Sequence, residues 1–435
     1  MHSVGDDRFV QRFRQTEAVV LTGRGYPVNL TLMALLSVAE ASDAVMHDLP
    51  PLPVEPVPFD EAAGRILRQP ITADRPLPPF DRATMDGIAV STYAYASGLH
   101  RFRVIGAQPA GVPRMTLRAA EDCVEIMTGA VLPANADAVV RVEDIKRVDG
   151  WAAIREGTPV EPFLNVHRAG SDFRKGSELV PAGTRLSARS LAVAASCGNG
   201  RLAVTRQPRL AIVSTGDELV PVEATPEPYQ IRRSNGHALA AAFRQRWGTD
   251  ADAEHLPDDR DAVLTGLERL LTAGGDALVL SGGVSKGKKD YIPDVLSELG
   301  VVRVFQGVAQ RPGKPFWFGR TPDGRPVFGL PGNPLSTLVG WTRYVAPALE
   351  RMTVATPAPV LKFPLQTAFT FDKPLTLFLP VRLEPGPDGT PVATPVPAAN
   401  SGDYARVVPT DGFLELPADQ DHFPAGWCGA FFPWP

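Results

Sequence analysis

The sequence predicts a multidomain α/β plus β protein: a doubly wound α/β domain in the middle of the chain, a β-rich region before it, and a small β domain or barrel after it. Three observations carry this. Between residues 209 and 352 apolar strands alternate with helical stretches, as in a parallel sheet covered on both faces. Between about 70 and 170 short apolar runs alternate with turn residues, and beyond 353 no helical pattern survives. The 435 residues also include 44 prolines, about twice the usual ~5%. Proline lacks a backbone N–H and resists helix interiors, so the excess implies short strands, turns and junctions. The length suits three domains, or four if some are small.

Residues 1–32 show weak periodicity and read as an extension. Met33 reads as a candidate start, because a helical pattern begins there: Leu35, Leu36, Val38, Ala39, Ala41 and Val45 recur near the 3.6 period. A second helix is expected over 60–68. The β-rich region offers strands at 87–90, 102–105, 123–127 and 138–142. Ser187 can cap a short helix through Ser196, because its hydroxyl can accept from an orphan N–H of the first turn. In the α/β part, strands are expected at 209–213, 277–280, 301–305 and 327–330, and helices at 235–247, 258–271, 291–299 and 333–352. Short strands at 375–383, 407–408 and 413–416 follow. No repeat of fixed period is present.

Charge and cysteine content exclude several function classes. Lys+Arg 44 against Asp+Glu 48 leaves a net charge of −4, so no global basic field exists to hold nucleic acid. Cys123, Cys197 and Cys428 are scattered and form no CxxC. A disulfide framework or Cys-rich zinc site is therefore not expected, and a reducing cytoplasm fits. No apolar run approaches the ~18 residues of a membrane span, and the N-terminus lacks an early apolar leader core.

A ligand of a doubly wound sheet sits beyond the carboxyl ends of its strands. Three groups of residues fall in such loops. In Ser214-Thr215-Gly216-Asp217-Glu218, small residues permit close backbone approach, and two adjacent acids can ligate a hard cation; alone, the run also reads as a capped turn with solvated acids. In Ser281-Gly282-Gly283-Val284-Ser285-Lys286-Gly287-Lys288-Lys289-Asp290, glycines free N–H groups for an anion, lysines add charge, and Asp290 stands near a helix start. The alternative is a solvated basic turn. The third group is Arg311-Pro312-Gly313-Lys314-Pro315 with Leu330-Pro331-Gly332-Asn333-Pro334-Leu335-Ser336: a rigid basic claw and a helix start where proline does little harm. It too can be read as two tight turns with surface charges. Their coincidence in one α/β unit favours function.

The glycine loop nearly spells a P-loop, but Lys289 stands where a hydroxyl must bind Mg²⁺. Gly283-Val284-Ser285-Lys286-Gly287 matches a nucleophile elbow formally, yet Ser285 lies five residues past the strand, not in a sharp strand-to-helix turn. Cys197-Gly198-Asn199-Gly200 follows a helix and precedes a strand, the wrong order for a dinucleotide loop. His167, His237 and His255 read as structural or surface residues. In the β-rich region, Pro79-Phe80-Asp81-Arg82-Ala83-Thr84-Met85-Asp86-Gly87 holds two carboxylates in a proline-braced loop, while Thr128-Gly129 and Asp172 are weaker signals still.

Taken together, six runs in order resemble one family, the molybdopterin molybdenumtransferases (bacterial MoeA, plant Cnx E domains and the gephyrin E domain). They are Pro79-Phe80-Asp81…Met85-Asp86-Gly87, Met127-Thr128-Gly129-Ala130, Ser214 to Leu219, Ser281 to Ser285, Pro312-Gly313-Lys314-Pro315, and Leu330 to Pro334. The resemblance covers about 33–435. It implies a segmented helical domain (33–72 and 168–206), an inserted β-rich domain (73–167), an α/β molybdopterin-binding domain (207–352) and a C-terminal β-barrel (353–435). It also implies a homodimer, with the active site between the α/β domain of one subunit and the inserted domain of the other. The implied reaction takes adenylylated molybdopterin and molybdate, inserts molybdenum into the dithiolene and releases AMP, with Mg²⁺ or another divalent metal. The residues suit this: Lys288, Arg311 and Lys314 for anions, Glu218 and Asp290 for the metal. Asp86, Glu218, Asp290 and Lys314 are the candidate catalytic residues. Thr128, Asp172, Ser214, Thr215, Gly216, Gly282, Gly283, Ser285, Lys288, Arg311, Pro331, Gly332, Asn333, Pro334 and Ser336 are candidates for substrate binding. Asp86, Thr128 and Asp172 are implied to reach in from the partner subunit. Other molybdenum-cofactor biosynthesis proteins are implied partners.

The chain departs from the family at Arg82-Ala83-Thr84, at Ile88 in place of Tyr, and at Arg311 in place of Lys, and its glycine loop is unusually basic. These departures leave open molybdate against tungstate, and motivate an alternative: a non-catalytic molybdopterin-binding or scaffold paralogue.

Overall fold

The computed structural model describes residues 19–21, 27–29, 35–283, 291–398, 400 and 402–435. Met33, Ser285, Lys286, Lys288, Lys289 and Asp290 lie outside them, as does most of 1–32. The first helix, α1 (Val38–Met46), starts later than the periodicity suggested. Ser37 caps it: its hydroxyl accepts from Glu40 N while Glu40 accepts from Ser37 N. Leu35 and Leu36 are therefore not helical, and Leu36 bridges in parallel to Val308. Arg320, only 5% exposed, donates to the carbonyls of Ala44, Val45, His47 and Asp48 at the end of α1. A cation there satisfies carbonyls that the last turn cannot pair internally.

The chain divides into two units. One comprises 56–63 and 67–204. The helix expected over 60–68 does not form; only a 3₁₀ turn, Phe59–Glu61, is present. Gly64 adopts φ +76°, and the N–H groups of Leu67 and Arg68 go instead to Thr184 O and Ala203 O. Further along, β1 (Gly87–Val90), β2 (Arg101–Gln108), β3 (Asp122–Ile126), β4 (Ala138–Arg141), β5 (Ile145–Val148) and β6 (Trp151–Ile154) form one sheet in the order β5-β6-β2-β3-β1-β4. Strand alternation sends Ile88 and Val90 into one core with Phe102 and Val140, and Ala89 into another with Val124 and Val139. Both faces are thus covered. Helix α2 (Ala188–Ser196) has the expected Ser187 cap, reciprocated by Ser190.

The other unit comprises 1–55, 64–66 and 205–435. Its main sheet holds β7 (Leu210–Thr215), β8 (Asp252–Leu256), β9 (Ala277–Ser281), β10 (Val302–Gln306), β11 (Trp317–Arg320) and β12 (Pro326–Leu330). The order is β8-β7-β9-β12-β11-β10; the first four are parallel, and β11 runs antiparallel to both its neighbours, β12 and β10. Leu210, Ile212, Ala277 and Val279 pack with α3 (Asn235–Trp247) and with α6 (Pro334–Gly340). Ala211, Val213, Leu278 and Leu280 pack on the other face with α4 (Arg260–Thr272) and α5 (Ile292–Glu298). That is a doubly wound layer order, and each fully buried aliphatic side chain contributes about 1.5–3 kcal/mol. The helix expected over 333–352 is broken: α6 runs into a π-helical turn, Trp341–Val345, before α7 (Ala346–Met352).

The C-terminal β region adds β13 (Lys362–Pro364), β14 (Thr376–Pro385), β15 (Pro391–Pro395), β16 (Gly412–Leu416) and β17 (Cys428–Pro433). Its order is Gln310–Arg311, β14, β16, β17, β13, with β15 also on β14. The strand expected at 407–408 is instead a 3₁₀ turn, Tyr404–Val407.

Candidate functional site

Strand order locates the first candidate site. From β7 the chain goes to β8 on one side, then crosses to β9 on the other. The connections leaving β7 and β9 diverge, which opens a crevice at their carboxyl ends. Ser214, Thr215, Gly216, Gly282 and Gly283 stand at these strand ends, next to the loop after β12. Asn235, at the start of α3, ties two of these loops: its Nδ2 donates to Ser281 Oγ and to Gly332 O, each at 2.8 Å. Gly282 N donates to Leu330 O at 3.2 Å.

Both Gly282 and Gly216 take positive φ, which favours glycine, and at Gly282 space requires it too. Gly282 has φ +96°, and a Cβ on it would lie 2.7 Å from Thr215 O. Gly216 has φ +139°, and a Cβ there would lie 2.6 Å from Glu218 Oε2. The Glu218 carboxylate thus folds back over Gly216 while Glu218 stays exposed. Gly216 O accepts from His255 Nε2 at 3.0 Å, and Asp217 Oδ1 accepts from Asp258 N at 3.0 Å. Thr215 Oγ1 is buried, has no hydrogen-bond partner among the described residues, and faces Gly282 and Gly283.

The basic claw follows. Val308 N donates to Lys314 O at 2.9 Å, closing the turn that presents Arg311 and Lys314. Lys314 is exposed and Arg311 half-buried. Arg311, Pro312 and Leu335 line a cleft of about 170 Å³ with Phe369, Phe371 and Phe378. At the start of α6, Thr337 Oγ1 donates to Pro331 O at 2.8 Å and to Asn333 O at 3.2 Å, holding the Pro331–Pro334 turn. The Asn333 side chain does not cap the helix. Ser336 is buried at 2% exposure.

The other unit orders acids. Asp86 Oδ1 accepts from Thr128 N and Thr128 Oγ1, both at 2.7 Å, and these donors hold its carboxyl below the ordinary carboxylate range. Arg82 Nη2 lies 3.2 Å from His167 Nδ1 and can only donate, so Nδ1 accepts and Nε2 carries the proton. Nε2 then donates to Asp172 Oδ1 at 2.8 Å, which lowers the Asp172 pKa. Asp81 Oδ1 accepts from Ala169 N at 2.7 Å.

Among the described residues no three His, Cys, Asp or Glu side chains converge on a metal position. Glu218 is a hard oxygen donor of the right chemistry; Asp290 lies outside the described residues. Asn235, Gln310 and Tyr344, which no local sequence signal marks, reach these loops from elsewhere in the chain, and His255, expected to be structural or surface, holds the Gly216 carbonyl. His167 carried the same expectation, with no link to Asp172.

Three family descriptions match in order: "MoeA N-terminal region (domain I and II)" over 36–198, "Probable molybdopterin binding domain" over 211–351, and "MoeA C-terminal region (domain IV)" over 362–428. The molybdopterin molybdenumtransferase of Synechocystis is 38% identical over 401 residues, covering 92% of this chain and all of that protein. The chain belongs to the molybdopterin molybdenumtransferase family. It is thus an enzyme of the molybdenumtransferase type, in molybdenum cofactor biosynthesis. The Synechococcus elongatus molybdopterin molybdenumtransferase is 32% identical, with 90% of this chain and 98% of that protein covered. Among solved structures, the molybdopterin biosynthesis MoeA protein from Pyrococcus horikosii superposes with a TM-score of 0.77 at 32% identity, covering 92% of this chain and 99% of that one. The family matches run from the β-rich unit to the C-terminal strands, between residues 36 and 428.

Proposed function

We propose that this molybdenumtransferase takes adenylylated molybdopterin and molybdate, inserts molybdenum into the dithiolene and releases AMP. The observation that carries the reading is that Asn235, at the start of α3, ties the ends of β9 and β12 together at one end of the sheet. Substrate phosphates and molybdate are anions, and this end offers backbone N–H groups, glycines that allow close approach, and two cations on a braced turn. We assign Ser214, Thr215, Gly216, Gly282, Gly283, Ser285, Lys288, Pro331, Gly332, Asn333 and Pro334 to the pterin nucleotide, and Arg311, Lys314 and Ser336 to the oxyanion. Glu218 and Asp290 would hold a divalent cation, which when bound offsets phosphate charge. Asp86, Thr128 and Asp172 take part as ordered polar groups supplied by the partner in a homodimer. The four-part division at 33–72 with 168–206, 73–167, 207–352 and 353–435 is part of the same reading. So is a cytoplasmic location; no described helix is long and apolar enough to cross a membrane.

The test is molybdenum-cofactor formation from adenylylated molybdopterin and molybdate, with AMP followed in parallel. Turnover should stop on chelation and return with Mg²⁺. Pterin binding without AMP release would instead favour a binding or scaffold paralogue. Sedimentation should give twice the chain mass; a monomer would remove the partner contribution.

A further inference from the structure

We propose that Gln310 and Tyr344 form a buried positioning pair that sets the oxyanion-binding turn and governs affinity for the oxyanion, not for the pterin nucleotide. The proposal rests on the assignment of Arg311 and Lys314 to the anion made above. Gln310 is 1% exposed, where an amide is costly unless both ends are paired. Both are. Its Oε1 accepts from the Tyr344 hydroxyl at 2.5 Å, and its Nε2 donates to Gly313 O at 3.2 Å. Because the phenol donates, it draws the amide oxygen toward itself and turns the amide nitrogen toward Gly313. The hydroxyl therefore chooses the orientation of the amide.

The turn sits directly on that amide. Gly313 has φ +91°, and a Cβ on it would lie 2.7 Å from Gln310 Nε2. Phe316 N also donates to Gly313 O, at 3.1 Å, so that carbonyl is held from two sides. Gln310 and Arg311 pair in parallel with Thr376 and Leu377 of β14. Strand pairing thus anchors the start of the turn, and the Gln310 amide anchors its apex.

Tyr344 comes from the π-helical turn Trp341–Val345. Such turns inside α-helices recur at functional sites. Its ring packs on Phe316, with centroids 4.7 Å apart, directly after the turn. Phenylalanine would fill the same space, so what the hydroxyl adds is the bond to Gln310. Burial pushes the Tyr344 pKa up, which keeps the donor protonated.

The experiment measures KM for molybdate and for adenylylated molybdopterin separately, in Tyr344→Phe, Gln310→Met and a Lys314→Ala control, with thermal melts on each. Tyr344→Phe should raise the molybdate KM about 5- to 20-fold, as expected for one lost buried hydrogen bond. Its pterin KM should stay within about 2-fold. Amide exchange at Phe316, whose N–H donates to the Gly313 carbonyl that the Gln310 amide also holds, should speed up in the same variant. A folded Tyr344→Phe with an unchanged molybdate KM, while Lys314→Ala raises it, overturns the positioning role. Equal rises in both KM values also overturn it, because that is general damage. If Lys314→Ala leaves the molybdate KM unchanged, the anion assignment has failed, and the pair falls with it. Should Tyr344→Phe not fold, Gln310→Met decides by the same two constants.

Discussion

Two groups of candidate residues differ in the material they are built from. At the carboxyl ends of β7, β9 and β12 the chain offers backbone: glycines at positive φ, with Gly282 too crowded for a Cβ, a carbonyl tied by Asn235, and a Pro331–Pro334 turn braced by Thr337. Around Asp86 and Asp172 it offers side chains: carboxylates oriented by Thr128 and by the Arg82–His167 pair. Backbone suits close approach to phosphate, because N–H groups are short, fixed and many. Carboxylates cannot do that work, but they can hold a direction and a charge. The first group should therefore be sensitive to added volume, and the second to lost charge.

The largest effect should come from the cation on the braced turn. Lys314→Ala should lower cofactor formation about 100- to 1000-fold with an unchanged circular dichroism spectrum; a loss of only a few-fold would remove this turn from the reaction. Next comes added volume. Gly282→Ala places a Cβ 2.7 Å from Thr215 O at φ +96°, a strain of about 1–3 kcal/mol. It should weaken pterin-nucleotide binding about 10-fold or more in calorimetry. Unaltered binding would mean that close backbone approach is not what the loop provides.

The smallest effect belongs to the exposed acid. The Thr128 bonds lower the Asp86 pKa from its ordinary 3.8. A depressed folded pKa stabilises the fold above the unfolded value and loses that contribution as pH falls through the folded one. The melting-temperature gap between wild type and Asp86→Asn should thus be flat from neutral pH down to about 4. It should close only below that. A gap that closes nearer neutrality would mean that another group carries the dependence.

The post-strand loops were legible because a strand, a break and a helix follow each other within a few residues, and periodicity is a local property. Gly216 to Glu218, Gly282 and Gly283, and Pro331 to Pro334 follow their strands as the alternation suggested, whereas Ser214 and Thr215 are the last residues of β7 and not part of the loop. The helix expected over 60–68 failed for the opposite reason. Residues 67 and 68 spend their N–H groups on Thr184 and Ala203, more than a hundred residues away. Asn235 was missed because the loop between β7 and α3 is long, and nothing near it marks a residue that bridges two other loops.

By itself, the sequence determined the layer order and the glycine-rich strand ends, because these depend on spacing along the chain, and its six ordered motifs carried the resemblance to the family. Tertiary structure alone decided which groups meet. Parallel register brings Ser281 and Gly332 to Asn235. A π-helical turn and a two-residue strand bring Tyr344 to Gln310. Hydrogen-bond partners are chosen by distance in space, and a buried amide is paired only after sheets and helices have closed around it.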